Sequence, residues 1–410
     1  MSGANDSGSG SKGQPATRLV SAGRRPEWTG PAVNPPVWRT STHLYADCAD
    51  LARGRPNEDG HFYYGRRGTP TQWALADALT SLEPGAAGTL LYPSGLAAIA
   101  GALLGLLDSG DVLLMSDNAY EPSRTLAEKL LGPLGIETRY FDPLDLAAFS
   151  SLFCERTRAV LLESPGSLTL EVADIPALAA IAREHGATTM LDNTWATSLH
   201  FPVLERGCDV AIHALTKHVG GHSDLMMGAV TAAELHHSRL RARHQLMGQF
   251  VSPDDSALAL RGLRTLQLRL ERQASSALAI ARWLAERPEV AHVLNPMLPG
   301  APGHALWLRD FTGGCGLFSF VLAGRTPAHR TRLVDALGLF GIGFSWGGYE
   351  SLAIPFDPAR SRSASAWPPA GWNRADRIAI RLSIGLEDPA DLIEDLERGF
   401  AAMDAGSERA

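Results

Sequence analysis

The chain has 410 residues, too many for one hydrophobic core, since single cores stop growing at about 250 to 300 residues; two domains are expected. Its hydrophobic content of 45% and charged content of 20% are those of a globular protein able to fill such cores. The 37 basic against 44 acidic residues leave a net charge of −7 and no basic run able to follow a phosphate backbone, which argues against nucleic acid as a partner.

Residues 1–15 are rich in Gly, Ser, Asn and Asp without periodicity and read as a disordered tail. They lack the apolar core of a signal peptide. The longest apolar run, Leu96 to Leu107, is too short to cross a bilayer and is interrupted by two glycines. Cys48, Cys154, Cys208 and Cys315 show no CxxC spacing and suit reduced thiols. The expectation is a cytoplasmic protein with no membrane partner.

Residues 16–68 set Pro31, Pro35, Pro36 and Pro56 among arginines and aromatics. The prolines discourage regular elements, so this stretch reads as an arm. Residues 69–263 alternate β-type and helical runs, with strands expected at Thr89–Tyr92, Asp111–Met115, Glu137–Phe141, Ala159–Glu163, Thr188–Leu191, Asp209–Leu215 and Met226–Thr231. A spacing of roughly 20 to 25 residues leaves room for crossover helices, the pattern of a parallel sheet covered on both faces. A helical stretch from Asp254 to Ala285 then leads into a smaller α+β domain, residues 264–410. Its strands are expected at Ala291–Leu294, Leu317–Leu322 and Ile378–Ile384, and its helices at Pro327–Leu337 and Pro389–Ala401.

Along the first domain, Tyr92-Pro93-Ser94-Gly95-Leu96 joins a strand to a strongly helical run. The Gly95 and Leu96 amides would head that helix, where free N–H groups and the dipole suit a phosphate. An ordinary strand-to-helix turn has the same appearance. Tyr120 follows the next strand, where a phenol can stack on a flat ring and serve as acid or base; it serves equally well as a cap on the core. Asp192 closes the run Thr188–Leu191, at the carboxyl end where open parallel sheets place ligands. A helix N-cap is the plainer role for it.

Only three lysines occur: Lys12 in the tail, Lys129 on a helix whose apolar stripe (Leu126, Leu130, Leu134) turns it to water, and Lys217. Lys217 ends the apolar run Ala211–Leu215 just before Gly220–Gly221. A desolvated lysine amine forms an imine with a carbonyl. The commonest cofactor held this way is pyridoxal phosphate, which also needs a carboxylate for its pyridinium nitrogen. An exposed loop lysine is the alternative, but Asp192 and Lys217 end adjacent strands on one rim, and the pair favours the cofactor.

Arg381 lies inside the apolar run Ile378–Ile384 and needs an anionic partner, for which a substrate carboxylate is suited. Tyr64-Gly65-Arg66-Arg67-Gly68 is either a surface turn or a clamp on a neighbouring subunit's phosphate. Gly343-Phe344-Ser345-Trp346-Gly347 matches a nucleophile elbow, yet no histidine follows His329 to complete its triad. His218 and His222 have helical metal spacing, but Gly220-Gly221 separates them, and no metal is expected.

Several stretches in order, Phe62-Tyr63-Tyr64-Gly65-Arg66-Arg67-Gly68-Thr69, Glu163-Ser164-Pro165-Gly166-Ser167, Asp192-Asn193-Thr194-Trp195, Thr216-Lys217, Ser345-Trp346-Gly347-Gly348 and Arg381-Leu382-Ser383-Ile384, closely resemble the pyridoxal-phosphate-dependent enzymes of Cys/Met metabolism. The resemblance runs from about Thr40 to Phe400. It implies the aspartate aminotransferase-like α/β fold, with a mostly parallel seven-stranded sheet and a smaller C-terminal α+β domain. It implies pyridoxal 5'-phosphate bound to Lys217, with Asp192 on the pyridinium and Tyr120 stacked on the ring. Gly95, Leu96 and Thr216 would hold the phosphate, joined by Tyr64 and Arg66 of a neighbouring subunit in a homotetramer. Ser345 and Arg381 would take the substrate α-carboxylate, with Trp346 lining the pocket. Ala214 replaces a phosphate-binding serine of the wider family, while Ser167 and Trp346 favour β-elimination over γ-chemistry.

The implied reaction is α,β-elimination on a small-molecule sulfur amino acid, first of all L-cystathionine, giving homocysteine, pyruvate and ammonia, a step of methionine biosynthesis. Lys217 or Tyr120 would protonate the departing sulfur. The alternatives are a γ-lyase, a γ-synthase or a cysteine-S-conjugate lyase of the same family. From another class, a cofactor-binding regulator without turnover is disfavoured by the retained Lys217, Asp192 and Arg381.

Overall fold

The computed structural model describes residues 13–55 and 60–405. Most of the expected tail, Lys12 and Pro56 therefore lie outside the described residues. Among the described residues, twelve strands occur in chain order: β1 (Ala86–Tyr92), β2 (Val112–Ser116), β3 (Glu137–Phe141), β4 (Thr157–Glu163), β5 (Thr188–Asp192), β6 (Val210–Ala214), β7 (Gly228–Ala233), β8 (Val290–Leu294), β9 (Leu317–Leu322), β10 (Gly341–Ile342), β11 (Leu352–Phe356) and β12 (Ile378–Ser383).

The first seven form one sheet in the order β1-β7-β6-β5-β4-β2-β3. Its strands are parallel except β7, which runs antiparallel to both β1 and β6. The segment between β6 and β7 holds Lys217 and no crossover helix, so the chain returns antiparallel instead of crossing over. The central strands are apolar runs because both faces are covered. On one face Leu90, Leu113, Met190, Ile212 and Val230 pack with Ile99 and Leu103 of the helix Gly95–Leu106. On the other, Leu114, Val160, Leu191 and Ala211 share a core with Leu75 and Leu178. Each fully buried large apolar side chain contributes about 1.5–3 kcal/mol.

The remaining strands form a second sheet, β10-β11-β12-β9-β8, packed against the helix Leu266–Ala285. The chain is thus α/β with a smaller α+β unit. Sequence patterning missed β10 and β11, the latter because it contains Pro355. β10 pairs only with Leu352 and Ala353, leaving that edge of β11 open at Pro355, where a sheet tolerates a missing N–H.

Three further expectations are corrected. The arm is not devoid of regular elements: Pro15 and Pro26 open the helices Pro15–Ser21 and Pro26–Thr29 at the first turn, where proline fits. The expected helix over 254–285 is two helices, Pro253–Arg264 and Leu266–Ala285, divided at Thr265. Around Lys129 the chain makes a π-helical turn, Ala127–Leu131. It buries Ala127 and Leu131 and leaves Leu130 and Leu134 exposed, so the apolar stripe is shifted by one residue, although Lys129 still faces water.

Candidate active site

The carboxyl ends of β2, β4, β5 and β6 share one rim, the place where open α/β sheets bind ligands. Asp192 is the last residue of β5, in register with Glu163 of β4 and Ile212 of β6. Its Oδ1 accepts bonds from the Thr194 N–H at 3.0 Å and the Thr194 hydroxyl at 2.5 Å. Thr194 Oγ1 in turn accepts the Ala214 N–H at 2.9 Å, so a relay from β6 fixes the carboxylate. The alternative role of Asp192 as a helix cap is not seen; the next helix opens at Thr197 with Ala196 before it. Burial raises the Asp192 pKa, against the Thr194 bonds and the Lys217 charge, which lower it.

Lys217 is half-buried in the turn after β6. Gly221, at φ +69°, turns the backbone there, and a Cβ on it would strike the Arg269 guanidinium at 2.0 Å. Lys217 Nζ donates to Ser345 Oγ at 2.8 Å and stands 5.4 Å from the centre of the Trp346 ring. Burial, and next the Arg381 charge, bring this amine down to about 8, with Asp192 opposing. A fraction of it is therefore neutral near physiological pH.

Ser345 lies between β10 and β11 at φ +83°, a conformation that costs a non-glycine residue energy and is held by its surroundings. Its carbonyl accepts the Arg381 Nη2–H at 2.7 Å, and the Gly347 N–H donates to Ser383 Oγ at 3.2 Å. The next element after Ser345 is β11 and not a helix, so the nucleophile-elbow match has no structural counterpart. Arg381 is buried in β12, and burial lowers it to about 10, with the Tyr120 phenol opposing. Trp346 packs on the buried His218, with ring centres 5.2 Å apart.

Tyr120 precedes the helix Glu121–Leu126 and is 44% exposed as a residue. Burial and then the acids Glu163 and Asp192 raise its phenol, against Arg381. At the head of Gly95–Leu106, Ser94 Oγ accepts the Ala97 N–H at 3.1 Å. The Gly95 and Leu96 amides come too early in the helix for intrahelical acceptors. A Cβ on Gly95 would lie 2.6 Å from the Ala214 Cβ, so the helix start abuts the end of β6. Thr216 Oγ1 accepts the Met227 N–H at 3.0 Å.

The structure thus brings Lys217, Asp192, Tyr120, Ser345, Arg381 and Trp346 around one space, with Gly95 and Leu96 at its edge beside Ala214. It does not bring Tyr64 and Arg66 there. They lie at the turn Gly65–Arg67, where Arg66 donates to the Gln245 carbonyl at 3.0 Å. Arg66, Arg67, Trp73 and His244 line a separate cavity of about 290 Å³. Sequence reasoning missed Glu163 as a site residue, although an acid closing an apolar strand was the same signal that marked Asp192.

This donor set fits pyridoxal phosphate: an amine of lowered pKa, an enclosed carboxylate one strand away, a half-exposed aromatic, and a helix start free to take a phosphate. The family model described as Cys/Met metabolism PLP-dependent enzyme matches residues 16–401. The chain belongs to this family. It is similar to a putative cystathionine beta-lyase of Rhizobium johnstonii, 46% identical over 393 residues, covering 95% of this chain and 96% of that one. Cystathionine beta-lyase MetC of Escherichia coli is 44% identical over 391 residues, covering 94% of this chain and 98% of MetC. The crystal structure of MetB from Corynebacterium glutamicum superposes with a TM-score of 0.83 at 29% identity, over 95% of this chain and 98% of that one. Membership of the Cys/Met metabolism family makes this an enzyme whose cofactor is pyridoxal 5'-phosphate. No helix among the described residues is long and apolar enough to cross a membrane.

Proposed function

We propose that this protein is a carbon–sulfur lyase that eliminates homocysteine from L-cystathionine, leaving pyruvate and ammonia. The observation that carries the reading is the Lys217–Ser345–Arg381 chain: an amine held at 2.8 Å from the Ser345 hydroxyl, with the Ser345 backbone carbonyl held by the Arg381 guanidinium. Lys217 would carry the cofactor, Asp192 would face its pyridinium, and Gly95, Leu96 and Thr216 would hold its phosphate. When bound, pyridoxal phosphate supplies an aldehyde for amines and a cationic ring that withdraws electrons from Cα.

The chain's own residues divide the remaining work. Arg381, with Ser345 beside it, offers a fork for the substrate α-carboxylate. A carboxylate held there sets Cα next to Lys217 Nζ. With its pKa near 8, this amine can accept the Cα proton at neutral pH and return a proton to the departing sulfur. Tyr120 is the other donor within the site. Trp346 walls the space beside Lys217, which supports a short reach to Cβ over chemistry at Cγ.

Tyr64 and Arg66 sit away from Lys217 of their own chain, which supports their serving the phosphate of a neighbouring subunit in a homotetramer of site-sharing dimers. The experiment is product analysis with L-cystathionine: pyruvate and homocysteine are expected, while 2-oxobutyrate with cysteine would mean γ-cleavage. Sedimentation or light scattering tests the tetramer.

A further inference from the structure

The rim carries a second acid that the chemistry above leaves unused. Glu163 ends β4 in register with Asp192 at the end of β5, so the two side chains leave neighbouring strands at one level and on one face. Glu163 Oε2 accepts the Tyr120 N–H at 2.6 Å. Strands this close hold their carboxyl groups near enough that, away from bulk water, both do not ionise together.

The surroundings decide which one carries the charge. Asp192 has two donors from Thr194 and the ammonium of Lys217. Glu163 has one backbone amide, with Asp192 on one side and a further acid, Glu171, acting on it as well. Burial first, and Asp192 next, hold Glu163 well above the ordinary carboxyl range. Arg381, Glu121 and the Tyr120 phenol are further ionisable groups of this corner. The proton belongs on Glu163.

We propose that Glu163 is a positioning residue: its neutral carboxyl group tethers the Tyr120 amide and so sets the aromatic wall of the site, while leaving Asp192 to carry the negative charge that would face the pyridinium. The inference rests on the cofactor site proposed above. Tyr120 stands at the start of a short helix, where the Ser123 and Arg124 N–H groups hold its carbonyl; the Glu163 tether is the bond that ties its amide to β4.

The test compares Glu163→Gln and Glu163→Ala holoenzymes by visible absorbance against pH, circular dichroism of the cofactor band, and kcat and KM on L-cystathionine. Thermal unfolding serves as the fold control. The Gln variant keeps an acceptor oxygen and no charge, so its absorbance midpoint and dichroism should match wild type. The Ala variant should lose dichroic intensity and about tenfold in kcat, as a displaced reacting wall does, with KM changing less. If the Ala variant does not fold, Glu163→Met fills the volume without an acceptor and takes its place.

A downward shift of the midpoint by about one unit in the Gln variant, the signature of losing a true negative charge, would overturn the proposal. So would an Ala or Met variant with wild-type dichroism and kcat. Wild-type protein that develops no visible band with pyridoxal phosphate would overturn the cofactor reading itself, and this inference with it.

Discussion

Lys217 Nζ donates a 2.8 Å hydrogen bond to Ser345 Oγ, joining the rim of the large sheet to a loop of the small one. The bond ties the amine to the group expected to seat the substrate, so the two residues should separate by phenotype. Lys217→Ala should abolish both the visible cofactor band and keto-acid release, with kcat falling at least about a thousandfold. Ser345→Ala should keep the band and lose activity mainly through KM. A Lys217→Ala protein with the wild-type band and turnover would remove the covalent role.

The amine's low pKa has a named cause that can be reversed. Burial and Arg381 bring Lys217 down to about 8, so its neutral fraction, and the rate at which the apoprotein captures pyridoxal phosphate, should rise with pH through about 8. Removing the neighbouring cation in Arg381→Leu should move that midpoint upward. The same variant should weaken kcat/KM for the amino acid by about 30- to 100-fold, the worth of a charge-assisted bond. Stopped-flow absorbance over pH 6–10 reads the first effect, steady-state kinetics the second.

The site was legible in part because two of its residues advertise themselves locally. Asp192 and Lys217 each end an apolar strand-like run, and a parallel sheet sends such ends to one rim. What stayed hidden depends on partners remote in sequence. The positive φ of Ser345 and its carbonyl bond to Arg381 arise only when the loop before β11 folds over β12. Asp192 suited an N-cap by residue type alone, but Thr194 occupies its Oδ1 and is itself held by the Ala214 amide of β6. Pro355 concealed β11 because its tolerance depends on how short the neighbouring β10 is. Of the fold, the strands of the large sheet were readable to within three residues at each end, the largest miss being the start of β1 at Ala86.

Ala214 offers a gain-of-function check on the phosphate end. It sits against Gly95 at the helix start. Ala214→Ser should add one bond to the phosphate and tighten pyridoxal phosphate about fivefold, roughly 1 kcal/mol. Equilibrium dialysis of apoprotein against graded cofactor measures it. Unchanged or weaker binding would place the phosphate elsewhere.

Asp117 shows how the two sheets are kept in register near Tyr120. Its fully buried carboxylate accepts the N–H groups of Ser363, Ala364 and Ser365, both serine hydroxyls, and the Arg124 guanidinium at 2.9 Å. Three successive amides around one carboxylate form an anion nest built from the loop between β11 and β12. Burial alone would raise Asp117, but these bonds prevail and lower it to about 2. A carboxyl group whose folded pKa lies below its unfolded value stabilises the protein above the unfolded pKa. That stability is lost as pH falls through the folded one. Asp117→Asn should therefore cost about 2 kcal/mol at pH 7, seen as a lower denaturant midpoint. The gap from wild type should hold down to about pH 4 and close as pH falls towards 2. A gap that persists unchanged at the lowest pH would mean that the loop is held by packing and not by this charge.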